Sequence, residues 1–211
     1  MILTSKLNKL STTITVSDQI RYGILLSGGL DSAVLLFLLM TEYRNLNIDP
    51  NIKIFTIPKS DCSYKYVPAI INEINQQFKS NLQPTILVGN SEDHHTVQVK
   101  NATRDIFKSA LVDELFIATN QNPPEEEFDY KQFKNGANVR FKELTEKIHQ
   151  PFLFLQKSHI IDFMFQFNAE KLSTLTHSCI KMTDTRCTVC FPCKEREWAF
   201  LKNQKEDLGT F

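Results

Sequence analysis

The stretch Ile24-Leu25-Leu26-Ser27-Gly28-Gly29-Leu30-Asp31-Ser32-Ala33-Val34-Leu35-Leu36 leaves the chain few ways to fold. An apolar run stops at a turn of small residues, and a second apolar run of helix formers begins at once. This predicts a buried strand, a tight loop and a helix whose N-terminus faces that loop. Loop N–H groups without partners and the positive end of the helix suit a phosphate-sized anion. Gly28 and Gly29 permit backbone angles and a close approach that a side chain forbids. Ser27 and Ser32 supply hydroxyl donors, and Asp31 either holds a magnesium ion or orders the turn. The Walker spacing and its lysine are absent. The same six residues also suit a plain structural elbow, so the loop alone leaves both roles open.

Strands and helices alternate along the chain. Arg21 to Leu26 is the first central strand and Leu30 to Tyr43 the first helix. Before them, Thr12 to Val16 is a β-branched strand that pairs at a sheet edge or covers the core. Asn51 to Ile57 is a strand isolated by Pro50 and Pro58. Tyr64 to Phe78 is a helix, capped by Asp61 or Ser63, with Val67, Ile70, Ile71 and Ile74 on one side. Pro84 to Val88 and Glu114 to Ala118 are strands around a helix over Val97 to Val112. A helix over Asn138 to Ile148, a strand over Pro151 to Leu155 and helices over Lys157 to Phe167 and Lys194 to Leu201 complete the pattern. The fold class this implies is α/β, a mostly parallel sheet with helices on both faces.

Ligands of such a sheet bind outside the carboxyl ends of its strands. Pro58 to Tyr64, Gly89 to His95 and Thr119 to Tyr130 then wall the cleft, and backbone groups near Phe55 to Ile57 are candidates to hold an adenine. Lys157, at a strand-to-helix junction, is placed to reach a phosphate or a carboxylate, though a surface lysine fits there equally. Cys62 is expected as a wall or core residue, His94-His95 as solvated turn residues, and Glu125-Glu126-Glu127 as a solvated charge run.

The chain has 211 residues, 42% of them hydrophobic and 16 of them phenylalanine, enough for a substantial core. One domain over 1–211 is expected, with 1–20 as an N-terminal extension. Basic and acidic side chains number 24 each, so net charge gives no electrostatic case for coating nucleic acid. No run reaches the apolar length of a membrane span, and Met1 to Thr13 lack the hydrophobic region of a signal peptide. A cytoplasmic protein with no membrane partner is expected.

Four of the 5 cysteines crowd near the C-terminus as Cys179-x7-Cys187-x2-Cys190-x2-Cys193. Four soft ligands at this spacing match a structural zinc site, the knuckle spanning 179–193. An iron–sulfur cluster is the rival occupant. His177, beside the cysteines, is expected to make a supporting hydrogen bond or to touch substrate.

Ser27-Gly28-Gly29-Leu30-Asp31-Ser32 resembles the pyrophosphate loop of the N-type (PP-loop) ATP pyrophosphatases. Together with Gln150-Pro151-Phe152-Leu153, Lys157, Thr176-His177-Ser178-Cys179 and Cys187-Thr188-Val189-Cys190-Phe191-Pro192-Cys193-Lys194-Glu195-Arg196, it is similar to the 7-cyano-7-deazaguanine (preQ0) synthase family. That resemblance implies an adenine nucleotide alpha-hydrolase-like, Rossmann-like fold and a ligase that joins ammonia to 7-carboxy-7-deazaguanine through a carboxyl adenylate. ATP and Mg²⁺ would bind at Leu26, Ser27, Gly28, Gly29, Leu30, Asp31 and Ser32, with structural Zn²⁺ on the four cysteines. Asp31, Lys157 and Arg196 would be the catalytic residues, the last two neutralising phosphate or carboxylate charge. A homodimer is also implied. The middle segments depart from the family: Gly89-Asn90-Ser91-Glu92 stands where Pro-Gly-Arg-Asn is usual, and Thr119 to Tyr130 replaces a Gly-rich segment. A diverged enzyme adenylating another carboxylate, a tRNA-modifying relative and a non-catalytic zinc-knuckle scaffold are the alternatives.

Overall fold

The structure, a computed structural model, describes residues 1–90, 95–133 and 146–209. A short antiparallel hairpin, β1 (Ile2–Thr4) with β2 (Ser11–Thr13), precedes the main sheet. That sheet comprises β3 (Tyr22–Leu25), β4 (Ile52–Thr56), β5 (Ile86–Leu87), β6 (Glu114–Phe116) and β7 (Ile148–His149). Its order is β5-β4-β3-β6-β7, and every pairing is parallel. The connections carry α1 (Leu30–Leu46), α2 (Val67–Phe78) and α3 (His95–Lys108). α4 (Lys157–Gln166), α5 (Lys171–Thr174) and α6 (Phe191–Lys202) follow the sheet.

The two faces of the sheet divide the core by strand alternation. Ile24, Leu26, Ile54 and Phe116 face one cluster, which also takes in residues of α1, α2, α4 and α6. Leu25, Phe55, Ile57, Leu115 and Ile117 face the other, packed on Ala102 and Ile106 of α3. The expected α/β architecture is therefore present. α1 is the most deeply set helix: Ala33 through Met40 are all buried. A helix that is apolar all round has no solvated side to offer, and this one is enclosed by the sheet and by α2, α4 and α5.

Winding runs from β3 through β4 to β5, then returns by α3 to β6 on the other side of β3. The reversal opens a crevice beyond the carboxyl end of β3, between its two neighbours. Leu26 extends β3 by donating its N–H to the Phe55 carbonyl at 2.8 Å, while its own carbonyl accepts from the buried Thr56 hydroxyl. The chain then turns away into Ser27.

Several boundaries differ from the sequence expectation. The strand expected over Thr12 to Val16 ends at Thr13 and joins a separate hairpin, while Leu3, Ile14 and Val16 enter the main core. The 1–20 segment is stitched down by polar contacts: the N-terminal ammonium meets Glu42 Oε1 at 2.5 Å, and Ser5 Oγ donates to Asp162 Oδ2 at 2.7 Å. The strand expected over Pro151 to Leu155 is instead a turn. β7 lies just before it, and only Gln156 rejoins the sheet, in a single parallel bridge to Gln121. Pro151 and the donors of Leu153 and Leu155, which bond back to Gln150 and Phe152, keep this stretch out of the ladder. Ile148, expected at the end of a helix, belongs to β7. Residues 138–145 of that expected helix, with Ser91, Glu92 and His94, lie outside the described residues.

Candidate functional site

The loop after β3 is held by its own side chains. Ser27 Oγ and Ser32 Oγ lie 3.0 Å apart, Ser32 Oγ accepts from the Ser27 N–H at 3.1 Å, and Ser27 Oγ accepts from the Gly29 N–H at 3.2 Å. Gly29 is the N-cap of α1 without a side-chain cap. The first-turn N–H groups of Leu30, Asp31 and Ser32 have no acceptor within the helix. Gly28 sits at φ +84°, and a Cβ there would fall 1.9 Å from the Ser63 carbonyl oxygen. Only glycine fits between that carbonyl and the segment on the other side, where the His177 N–H bonds the Gly28 carbonyl at 3.0 Å.

A cleft of about 160 Å³ opens beside this loop. Ser27, Gly29, Asp31 and Ser32 form one edge, with Lys59 after β4. Leu25, Ile57, Val99 and Ile117 form an apolar wall. A polar, N–H-rich edge facing an apolar wall suits a ligand with an anionic end and a flat, weakly polar body. Of the segments expected to wall the cleft, Lys59 and Ala118, just before Thr119, contribute to the lining, and so does Ile57 from the adenine candidates. Phe55 instead lies in the core, and Val99 from α3 was not anticipated. A larger groove, about 640 Å³ around Tyr43, Arg44 and Phe78, lies at the opposite end of β4.

Lys157 opens α4 and is buried. Gln156, extended at φ −89°, caps that helix reciprocally with His159 and so sets the direction in which Lys157 leaves the backbone. The ammonium lies 2.8 Å from Asp31 Oδ2 and 2.9 Å from Glu195 Oε2. Burial alone would lower its pKa, but the two carboxylates outweigh that and hold it above the usual lysine value. Burial pushes the Glu195 carboxyl up, opposed by the Lys157 charge and by a hydrogen bond from the Asn120 side chain. Asp31 Oδ1 is buried and has no hydrogen-bond partner among the described residues. A buried acceptor left over beside a phosphate-type loop is the feature a divalent cation or its water shell would satisfy.

Glu195 did not figure in the sequence expectation. The signal for it was indirect: a lysine at the start of a helix packed into the core needs a counter-charge, and Lys194-Glu195-Arg196-Glu197 puts a run of charges on a helix that also carries Ala199 and Phe200.

Arg196 is fully buried. Its Nε and Nη2 grip both oxygens of Asp207 at 2.7 and 2.9 Å. Nη2 also donates to the Ser173 carbonyl at 2.7 Å, and Nη1 to Thr176 Oγ1 at 3.1 Å. Arg186 binds the same Asp207. Burial raises the Asp207 carboxyl, but the two guanidiniums more than reverse that and hold it below the ordinary aspartate value. This arrangement ties the chain after α6 to the segment before the cysteines.

The four cysteine sulfurs lie within 4.8 Å of one another, with Cys179 and Cys190 Sγ 4.0 Å apart. Tetrahedral zinc with bonds of ~2.3 Å needs sulfurs about 3.8 Å apart, so small rotations would complete the site. Backbone N–H groups of Met182, Lys181 and Cys187 point at Cys179 Sγ at 3.3 to 3.4 Å, and that of Cys190 at Cys187 Sγ at 3.2 Å. Such donors stabilise thiolates, the form that binds metal. Thr188 takes a left-handed conformation, φ +57°, to make the turn. The cluster can chelate a metal, as zinc or an iron–sulfur centre. His177 stacks on Tyr66 at 5.0 Å and bonds the Met182 carbonyl through Nε2 at 2.8 Å, so it braces knuckle against loop.

Cys62 is partly exposed and also left-handed at φ +59°. Glu125, Glu126 and Glu127 are exposed, the last paired with Lys202 at 2.8 Å. No helix among the described residues is long and apolar enough to cross a membrane.

Residues 123–204 match the family model described as queuosine biosynthesis protein QueC. No curated protein matches the chain at a significant level. Among solved structures, the U34-tRNA thiolase NcsA from Methanococcus maripaludis with its 4Fe-4S cluster overlaps at 14% identity and TM-score 0.45, covering 89% of this chain and 67% of that one. NMN synthetase from Francisella tularensis overlaps at 14% identity and TM-score 0.49, covering 88% and 77%. Neither overlap bears on chemistry. Loop, parallel sheet and partial family match together make the chain similar to the PP-loop ATP pyrophosphatases. Within that class the chain is QueC-like, over a match that spans less than half its length.

Proposed function

We propose that the protein converts 7-carboxy-7-deazaguanine and ammonia to 7-cyano-7-deazaguanine, with ATP cleaved to AMP and pyrophosphate. One observation carries this: Lys157, from the QueC-like stretch 123–204 that also contains Glu195 and all four cysteines, lies 2.8 Å from Asp31 of a Ser-Gly-Gly-Leu-Asp-Ser loop outside that stretch. The contact between these two separate parts of the sequence supports the reading.

A carboxylate oxygen of the substrate attacks the α-phosphorus of ATP, and pyrophosphate leaves with the electron pair of the broken P–O bond. Ammonia then attacks the acyl carbon, AMP departs, a proton is lost, and the amide results. A second ATP activates the amide oxygen in the same way. Loss of AMP, which carries that oxygen, and of the two amide protons gives the nitrile. The difficult events are departures of charged phosphate, so the protein's contribution is electrostatic and positional. Loop N–H groups and the hydroxyls of Ser27 and Ser32 hold the departing pyrophosphate. Lys157 would supply positive charge beside it, and Asp31, whose Oδ1 has no hydrogen-bond partner among the described residues, is the residue that would hold a magnesium ion or its water shell. Magnesium would screen the phosphate charge, and zinc on Cys179, Cys187, Cys190 and Cys193 would have no open position for substrate, leaving it a structural role.

The test supplies purified protein with MgATP, ammonium and the deazaguanine acid, and follows nucleotides and heterocycle by mass spectrometry. Expected are AMP, pyrophosphate and nitrile, all lost in Asp31→Ala. An unchanged heterocycle in protein that binds MgATP rejects this substrate, and ADP as the sole nucleotide product rejects adenylation.

A further inference from the structure

We propose that Glu195 is a positioning residue for the phosphate loop: it shares the Lys157 ammonium with Asp31, so that Asp31 Oδ1 stays available to a divalent cation. The inference rests on reading Ser27 to Ser32 as a nucleotide loop. It adds the residue that sets the loop's charge.

The geometry is the starting point. One ammonium stands between two carboxylates at 2.8 and 2.9 Å, all three groups withdrawn from solvent. A lysine paired with Asp31 alone would form a neutral couple, and a cation approaching Asp31 would have to displace the ammonium. With Glu195 present the cluster carries one negative charge more than a simple pair. Lys157 can then keep a partner while Asp31 turns toward a metal. The buried, unpartnered Asp31 Oδ1 is what such sharing leaves over.

Glu195 reaches this place because α6 is aimed by the cysteine cluster. The helix starts at Cys190 with Pro192 in its first turn, and Cys193 lies in the cluster, so Glu195 follows two residues beyond an anchored position. Glu195 does not line the cleft, whereas Asp31 does. Its influence on ligand therefore passes through Lys157 and Asp31.

The experiment measures equilibrium ATP binding to metal-loaded protein, in buffer without chelator, as magnesium is varied. Glu195→Gln keeps the size and hydrogen bonding of the side chain and removes its charge. Two unit charges several ångströms apart in a partly buried site interact more strongly than exposed ones, and solvent relaxation moderates this. A rise of about tenfold in half-saturating magnesium is therefore expected. Affinity for magnesium-free ATP should not fall, because one negative charge near the phosphates is gone. Lys157→Gln frees both carboxylates and should move half-saturating magnesium the other way, and Glu195→Asp should restore part of the loss. A merely structural role lowers magnesium-free and magnesium-dependent binding together and gives no opposite signs. That outcome, or variants matching wild type, overturns the role of Glu195 while leaving nucleotide binding intact. Wild-type protein that binds no ATP at any magnesium level overturns the nucleotide loop itself.

Discussion

Replacing Arg196 by methionine separates two roles for this residue. The sequence resemblance implies a cation that neutralises phosphate or carboxylate. The structure encloses it completely, with hydrogen bonds to Asp207, Thr176 and Ser173. Truncating one partner of a buried ion pair costs about 3–5 kcal/mol, because the other is left without compensation. Here Asp207 retains Arg186, which offsets part of the loss, so the lower end, about 3 kcal/mol, is expected. In a chain of this size 1 kcal/mol moves Tm by ~2–4 °C, so the midpoint should fall by about 6–12 °C. Asp207→Asn should cost a similar amount, since it leaves two guanidiniums facing a neutral amide. The double variant should lose less than the sum of the two, because both changes disrupt one network. The assay is thermal unfolding of metal-loaded protein by circular dichroism, with ATP affinity measured well below the lowest midpoint. A strut predicts lost stability with retained affinity in the folded fraction. An Arg196→Met protein with unchanged midpoint and no ATP binding would refute this reasoning and return Arg196 to the phosphates.

The cysteine cluster predicts about one structural metal per chain. Cys190→Ala should lower the unfolding midpoint and the bound metal far more than Cys62→Ala, and the opposite ranking by thermal scan and elemental analysis would remove Cys62 as the spare thiol. His159 adds a pH dependence. It is buried, accepts from the Gln156 N–H through Nδ1 at 3.0 Å, and meets Asn8 Oδ1 through Nε2 at 3.1 Å. Burial, the largest cause, depresses its pKa, so the folded protein binds this proton less readily than the unfolded chain. Its contribution is present above the unfolded value of about 6.5 and is lost as pH falls through the lower folded value. Urea unfolding at pH 7.5 and 5.5 should show a smaller acid loss in His159→Gln than in wild type; equal losses would clear His159 of that role.

What the sequence determined by itself was whatever short-range chemistry decides. The strand, glycine turn and helix around Ser27 to Ser32 follow from apolar runs broken by residues that only a turn accommodates, and the structure places them at the carboxyl end of the central strand. The cysteine spacing similarly announced a cluster, because the last three thiols are close along the chain whatever the fold does. The α/β class followed from alternation. Tertiary structure decided the rest. Pro151 to Leu155 is apolar enough for a strand, yet local turn hydrogen bonds kept it out of the ladder while Ile148-His149 took the place beside β6. Glu195 and Arg196 are neighbours of equal polarity in the sequence, and both are buried. The turn of α6 sends one to Lys157 and the other to Asp207, residues 38 and 11 positions away that no local pattern connects. A charge's role depends on the partner that shares its burial, and that partner is chosen by packing across the whole chain.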